Sequence, residues 1–291
     1  MFERHKYLDT GAWKDLKDPA GSIKYDGSHF YLNFNSEGKP SYISRRLSVK
    51  GTYPDRTVKL PHLSDVSLPE LSGKAYSVEL IHSGWDPEGK ESHAAVSGIL
   101  NSLPEKAIAT QKVTGPVRAV LLDVIDPSFH TYKDKMEHLK IVESMFDKPG
   151  LVITPKIVIG HDNVHKLISD TENQGREGII VTSWEKPETE NPRFKIKHYG
   201  TYNLLVSGIT QEYDIHGNPK ESAGALILKD ASGKEVCQVG TGLTRETRID
   251  IWKNPKKWIG KLIQIRAMPS TARRLRHPVY NGFADGELDL V

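Results

Sequence analysis

The chain is nearly without cysteine: of 291 residues, only Cys237 carries a thiol. One thiol excludes an internal disulfide and a zinc site built on cysteines. Its setting, Glu235-Val236-Cys237-Gln238-Val239, reads as a strand in which the thiol packs as a small apolar residue. Long apolar runs are missing too, and none reaches the length of a bilayer-spanning helix, so no membrane association is expected. Met1 to Asp9 is too polar for a signal peptide, which makes the cytoplasm the expected compartment. Charge of one sign barely accumulates; the net value is +3, too small to announce a polyanionic partner by itself. There is no internal repeat and no low-complexity linker. What remains is an ordinary globular composition, 37% hydrophobic and 26% charged, long enough for one large or two modest domains.

The residues that are present change character along the chain. Up to about residue 203, strand-like runs alternate with helical ones. Ser22 to Phe34 reads as two strands around a turn, and Tyr42-Ile43-Ser44-Arg45-Arg46 as a further strand with an arginine pair at its end. Ala75–Ile81, Arg118–Ile125, Gly178–Ser183 and Phe194–Lys197 are β-rich. Ala94–Leu103, Tyr132–Phe146 and the short Asn163–Ser169 carry helical spacing. His161 and His165 lie four apart, but without a third ligand they do not predict a metal site. From Leu204 onward short strands alternate with turns, broken by one helix over Arg245–Trp252. About five strands in that length predict a small Greek-key barrel of the oligonucleotide-binding (OB) type. The expected fold class is therefore α+β, antiparallel sheets and helices over 1–204, followed by an all-β barrel over 205–291. The cations crowd into that second part, including Lys256, Lys257, Arg273, Arg274 and Arg276. Such a run is either a solvated face or a phosphate-backbone contact.

Seven charged residues interrupt or flank strand-like runs: Lys24, Asp26, Arg45, Glu79, Glu177, Lys195 and Lys197. Lys24 stands in Ile23-Lys24-Tyr25-Asp26-Gly27, where a tight turn between strands would hold an amine at a pocket edge. An uncharged lysine amine is a good nucleophile. Lys195 and Lys197 share one face of a strand, because side chains repeat every second residue. Two lysines so placed repel unless an anion or solvent lies between them. Carboxylates that hold a divalent metal, lysines that neutralise phosphates and one nucleophile are the set that nucleotidyl transfer requires.

With these residues in place, the chain resembles the ATP-dependent DNA ligases among the covalent nucleotidyltransferases, in particular minimal ligases of the phage and bacterial type. Lys24-Tyr25-Asp26-Gly27 looks like the family's Lys-x-Asp-Gly, Ser44-Arg45 like its Ser-Arg, and Val78-Glu79-Leu80 like its Gly-Glu-Leu. Leu121-Leu122-Asp123-Val124 resembles its adenine-pocket strand, Glu177-Gly178-Ile179 its Glu-Gly motif and Lys195-Ile196-Lys197 its last lysine pair. Val239-Gly240-Thr241-Gly242-Leu243, Trp252-x-Asn254-Pro255, Gly260-Lys261 and Leu275-Arg276-His277-Pro278 follow the order found at the end of these ligases. Four positions depart: His29 where arginine is frequent, Leu122 where an aromatic residue is common, Thr182 where a lysine often follows the Glu-Gly strand, and Phe283-Ala284-Asp285-Gly286-Glu287 where Arg-x-Asp-Lys is usual.

The resemblance implies ATP and Mg²⁺ as cofactors, nicked duplex DNA as partner, and a monomer. It implies that Lys24 becomes adenylylated, with Ile23, Lys24, Asp26, Gly27, Arg45, Glu79, Leu122, Glu177, Lys195 and Lys197 around the nucleotide. Glu177 and Glu79 would hold metal, Glu79 alternatively the ribose. Arg45, Lys256, Lys257, Arg273, Arg274 and Arg276 would contact DNA. An RNA ligase or capping-type transferase would share the Lys24 chemistry, and a non-catalytic nick-binding protein would share the fold. An NAD⁺-dependent ligase would need a four-cysteine zinc site, which one cysteine cannot build.

Overall fold

The computed structural model describes residues 7–8, 11–48, 50–83, 91–268 and 274–291. The chain forms two compact units, residues 1–197 and 198–291. In chain order the first unit runs β1 (Tyr7–Leu8), β2 (Pro19–Ile23), β3 (Ser28–Phe34), β4 (Pro40–Ser44), α1 (Pro61–Ser64), β5 (Ala75–Ile81), α2 (His93–Asn101), α3 (Pro104–Thr114), β6 (Arg118–Val124), α4 (Tyr132–Ser144), β7 (Val152–Ile153), β8 (Ile157–Ile159), α5 (His161–Asn173), β9 (Gly178–Ser183) and β10 (Arg193–Lys197). These strands make two sheets, ordered β1-β10-β9-β2-β8 and β4-β3-β5-β6-β7. Pairing is antiparallel except at β1–β10 and β6–β7.

Alternation decides which face of the second sheet is core. Phe30, Leu32 and Phe34 of β3 are buried, and Phe30 and Leu32 stand opposite Val78 and Tyr76 of β5. All of them join one apolar cluster with Met136, Leu139 and Val142 of α4 and with Val96, Ile99 and Leu100 of α2. The residues between them, His29 and Tyr31, stand opposite Glu79 and Ser77 and are only half-buried. That polar face is the one available for chemistry. A smaller cluster of Trp13, Val164, Ile179, Val181 and Phe194 binds α5 to the first sheet. His161 and His165 flank Trp13, one stacked at 6.1 Å and one edge-on at 4.9 Å, so they clasp an indole.

Four helices differ from the sequence expectation: the four-residue α1 and the four-residue helix Pro255–Trp258 are not foreseen there, nor is α3, and α5 has other bounds. α3 was not expected, because it is weakly apolar and buries only Ala107 and Gln111; its signals are Pro104 at the first turn and Gly115 just beyond the end, at φ +96°. Helix α5 starts two residues before the expected Asn163 and ends four after Ser169.

The second unit contains β11 (Gly200–Tyr213), β12 (Pro219–Lys229), β13 (Glu235–Val239), α6 (Arg245–Lys253), α7 (Pro255–Trp258), β14 (Leu262–Met268) and β15 (Arg276–Phe283). The five strands pair antiparallel in the order β13-β12-β11-β14-β15. The two outer strands also approach: Leu275 N donates to Val236 O at 3.0 Å, and Thr241 bridges Val279. β11 runs without a break through the junction expected at 204/205. Arg248 of α6 donates to the carbonyls of Ala223, Gly224, Gly240 and Leu243 at 2.5–3.3 Å, which fastens the helix to the sheet. No helix among the described residues is long and apolar enough to cross a membrane.

Candidate active site

Strand register assembles the site. Ile23 at the end of β2 pairs with Ile179 of β9, and the next backbone amide, Lys24 N, donates to Gly178 O at 2.9 Å. On the other side of β9, Gly178 pairs with Lys197 of β10. Lys24, the Glu177–Gly178 step and Lys197 therefore lie abreast on three neighbouring strands. Glu177 then has a lysine on each side. One carboxylate oxygen pairs with Lys24 Nζ, and the other lies 3.3 Å from Lys197 Nζ. Glu177 is 7% exposed, Lys24 19% and Lys197 23%. The carboxylate is thus sequestered, while both amines keep a path to a ligand. Lys195 lies two residues before Lys197 on the same side of the strand. Burial lowers its pKa, and the cations of Lys24 and Lys197 lower it further.

Glu79 enters from the other sheet of this unit, on β5 opposite His29 of β3. Burial raises its carboxyl to about 7. The carboxylates of Glu177 and Asp26 push the same way, against Lys24 and Arg45. Lys24, Asp26, Arg45 and Glu177 are thus near enough to act electrostatically on Glu79, and Arg45 also acts on Lys195. Gly27 permits the approach: a Cβ there would strike the Leu80 carbonyl and lie 2.7 Å from Glu79 Cγ. Asp26 Oδ2 accepts His93 N at 3.2 Å, in the first turn of α2. Gly178, at φ +144°, lets β9 approach β10 where a Cβ would meet the Ile196 carbonyl. Leu122, half-buried, sits at the β-bulge between the Ser77–Asp123 and Val78–Leu121 pairs.

His29 hydrogen-bonds Ser77 Oγ at 2.6 Å. Burial, reinforced by Arg45, lowers its pKa to about 4, so the imidazole is neutral at physiological pH. Thr182 stands opposite Arg193 on the lysine side of the sheet, but its hydroxyl is bonded to Asn191 Oδ1 at 2.9 Å.

A second polar group escaped the sequence reading. Lys135 of α4 contacts Asp123 and Glu188 at 3.0 and 2.8 Å, and Arg193 of β10 contacts the same two carboxylates at 3.2 and 3.1 Å. All four side chains are 9–13% exposed, and the Arg193 guanidinium lies over the Tyr132 ring at 5.5 Å. The one available signal was Asp123 inside an apolar strand.

The cations expected to contact DNA, apart from Arg45, belong to the second unit. Lys256 and Lys257 are exposed on α7, and Lys257 pairs with Asp250 at 2.9 Å. Arg274 is exposed, Arg276 begins β15, and Arg273 lies outside the described residues. Among the described residues, no group of three or more His, Cys, Asp or Glu side chains forms a metal cage. The carboxylates that could share a cation are Glu79 and Glu177. Two carboxylates fit the Mg²⁺ habit of taking one or two protein ligands and completing its shell with phosphate oxygens and water. Glu79, whose carboxyl burial raises to about 7, is the kind of group a divalent cation would ionise fully.

No family model matches the chain, and no curated protein matches its sequence. Solved structures do match. A structure named Pmar-Lig_Pre is similar over 97% of this chain and 68% of its own, with TM-score 0.68 at 14% identity. A structure from the work "DNA binding with a minimal scaffold: Structure-function analysis of Lig E DNA ligases" is similar over 98% of this chain and 100% of its own, with TM-score 0.68 at 11% identity. Pmar-Lig_PreS3 is similar over 96% and 67%, with TM-score 0.67 at 15% identity. At such identities the likeness is one of fold. The expected fold class holds, an α+β nucleotidyltransferase unit followed by an OB-type unit, and with it the resemblance to minimal DNA ligases.

Proposed function

We propose that this chain, whose fold is that of the minimal DNA ligases, is an ATP-dependent DNA ligase that seals nicks through a lysine–AMP intermediate on Lys24. The observation that carries the reading is the row Lys24–Glu177–Lys197, with Lys195, Glu79 and Arg45 gathered around it. These six motif residues come from separate strands and loops, which supports a shared role.

In the first step the Lys24 amine attacks the α-phosphorus of ATP. A nitrogen–phosphorus bond forms, the bond to the bridging oxygen breaks, and pyrophosphate leaves. Lys195 and Lys197 donate to phosphate oxygens, where fixed cations in a partly desolvated site stabilise charge that develops in the transition state. Leu122 and Ile23 supply apolar surface to the base. Glu79 and Glu177 would hold Mg²⁺, which when bound shields phosphate charge. In the second step AMP passes to the 5′-phosphate at the nick, held by the fork-shaped Arg45 donor. In the third, the 3′-hydroxyl attacks that phosphate and AMP departs. The second unit would lay Lys256, Lys257, Arg273, Arg274 and Arg276 along the duplex backbone, and the protein would act as a monomer.

The test is covalent labelling. The protein is incubated with α-labelled ATP and Mg²⁺ and denatured, with Lys24→Ala alongside. Label that requires Lys24 and is discharged by nicked DNA supports the reading. Absence of label with ATP, GTP or NAD⁺, even after pyrophosphate has stripped any resident AMP, refutes it in favour of a nick-binding protein. Label from GTP alone favours a capping-type transferase.

A further inference from the structure

The arginine pair at the end of β4 is only half accounted for. Arg45 acts on the lysine site; Arg46, the next residue, is exposed. Beyond it the chain leaves the sheet and returns in a closed bracket. Ser48 N donates to Thr52 O at 2.8 Å, and Gly51 N donates to Ser48 O at 3.0 Å, with Gly51 at φ +74°. The Ser48 and Thr52 hydroxyls lie 3.1 Å apart, and Ser44 N donates to Pro54 O at 2.8 Å to close the base. Local hydrogen bonds therefore fix a conformation that buries almost nothing.

What the bracket displays is selective. Arg46 and Lys50 are exposed, and Leu47 and Tyr53 are each 56% exposed. No acidic residue occurs between Ser44 and Pro54. Among the described residues, neither Arg46 nor Lys50 has a carboxylate within 4.0 Å. The nearest acid in sequence, Asp55, already accepts from Thr57 N at 2.8 Å and Thr57 Oγ1 at 2.5 Å. Two uncompensated cations interleaved with an aromatic and an aliphatic side chain, on a preformed loop, suit a sugar–phosphate backbone. Phosphates take the cations, and sugar faces take Tyr53 and Leu47. An anionic lipid surface shares part of this chemistry, but continuity favours DNA. The bracket grows directly from Arg45, and a strand whose 5′-phosphate reaches Arg45 would run on past its neighbour.

We propose that the bracket carrying Arg46, Leu47, Lys50 and Tyr53 is a second duplex-backbone clamp, in which Arg46 and Lys50 bind consecutive phosphates of the strand that Arg45 engages at the nick. This rests on the ligase reading above, and the two can fail separately. Binding of a fluorescent nicked duplex would be measured across a salt series for wild type, Arg46→Gln/Lys50→Gln, Tyr53→Ser and the charge-keeping Arg46→Lys/Lys50→Arg. Each phosphate contact contributes about 0.9 to the slope of log affinity against log salt, so the Gln pair should flatten the slope by about 2. The charge-keeping pair should retain it. Tyr53→Ser should weaken binding without changing the slope. Covalent labelling of Lys24 by ATP should be unchanged in all of them, which also shows that they fold. Intact labelling with an unchanged slope and unchanged sealing in the Gln pair overturns the clamp. Equal loss in the charge-keeping pair, or retention by anionic vesicles in preference to nicked duplex, overturns it as well. Absence of labelling in the wild type overturns the ligase reading instead.

Discussion

Glu79 offers the sharpest test of the electrostatics, because its carboxyl is raised from 4.5 to about 7. The sign follows from linkage. Between those two values the folded protein holds a proton that the unfolded chain releases, so folding is favoured at low pH and loses that advantage as pH rises through about 7. At 1.36 kcal/mol per tenfold, the interval corresponds to about 3 kcal/mol of stability present below pH 4.5 and absent above pH 8. The perturbation is Glu79→Gln, which keeps the shape and cannot ionise. The assay is urea denaturation of both proteins at several pH values from 4.5 to 8.5, compared as the difference between them. That comparison cancels every other titrating group. Wild type should lose about 3 kcal/mol relative to the variant across the interval, most of it between pH 5 and 7, with the difference constant above about pH 8. Parallel profiles would mean that Glu79 ionises normally and is not enclosed by Glu177, Asp26 and low-dielectric surroundings. A difference of the opposite slope would mean that the lysines and Arg45 outweigh burial.

Other consequences are more direct. Gly27→Ala should destabilise the first unit by about 2 kcal/mol or more, because its Cβ would strike the Leu80 carbonyl and crowd Glu79; a thermal melt checks this. Lys135→Met removes one of the two cations that contact both Asp123 and Glu188 and should cost about 3–5 kcal/mol, read as a lower denaturation midpoint, since it leaves nearly buried carboxylates less compensated. Cys237, whose thiol burial pushes up to about 12, should resist iodoacetamide at pH 8 in the native state and react quickly in denaturant. Arg248→Lys replaces a fork that serves four carbonyls with one point donor, and should lower the stability of the second unit by about 2 kcal/mol in chemical denaturation.

Much of this architecture can be read from local pattern because strand alternation is local. β5 and β9 fall where their β-branched and apolar runs lie, and the lysine pair of β10 shares a face because the strand period is two. The motifs located the members of the site. They did not locate its geometry, which depends on register between strands more than 150 residues apart, such as Lys24 beside Glu177. The nearly buried quartet of Asp123, Lys135, Glu188 and Arg193 was illegible for the same reason: apart from Asp123, which interrupts an apolar strand, each member looks like a surface charge in its own segment. α3 escaped because its contacts are made by one alanine and one glutamine rather than by an apolar stripe; Gln111 bonds the Lys59 carbonyl at 2.8 Å and accepts Val117 N at 3.0 Å. The Arg46 bracket carries no apolar period, so only its hydrogen bonds reveal that it is preformed.

The charge pattern of the lysine site also bears on the order in which its ligands must arrive. Lys24, Lys195, Lys197 and Arg45 share the site with Glu177, Asp26 and a Glu79 that is about half protonated at neutrality. Without ligands the site is therefore short of negative charge, which favours a polyphosphate. A polyphosphate arriving alone, however, raises the cost of ionising Glu79 still further, because like charge disfavours the charged form. Only a ligand that brings a compensating cation both satisfies the lysines and frees the Glu79 carboxylate. Nucleotide and divalent ion should consequently bind with positive coupling, and by reciprocity each should tighten the other by the same factor. In Glu79→Gln, which has no proton to lose, that coupling should shrink while nucleotide binding without metal persists. Titration calorimetry of wild type and variant, with and without Mg²⁺, separates the two cases; equal coupling in both proteins would remove Glu79 from the metal-responsive part of the site.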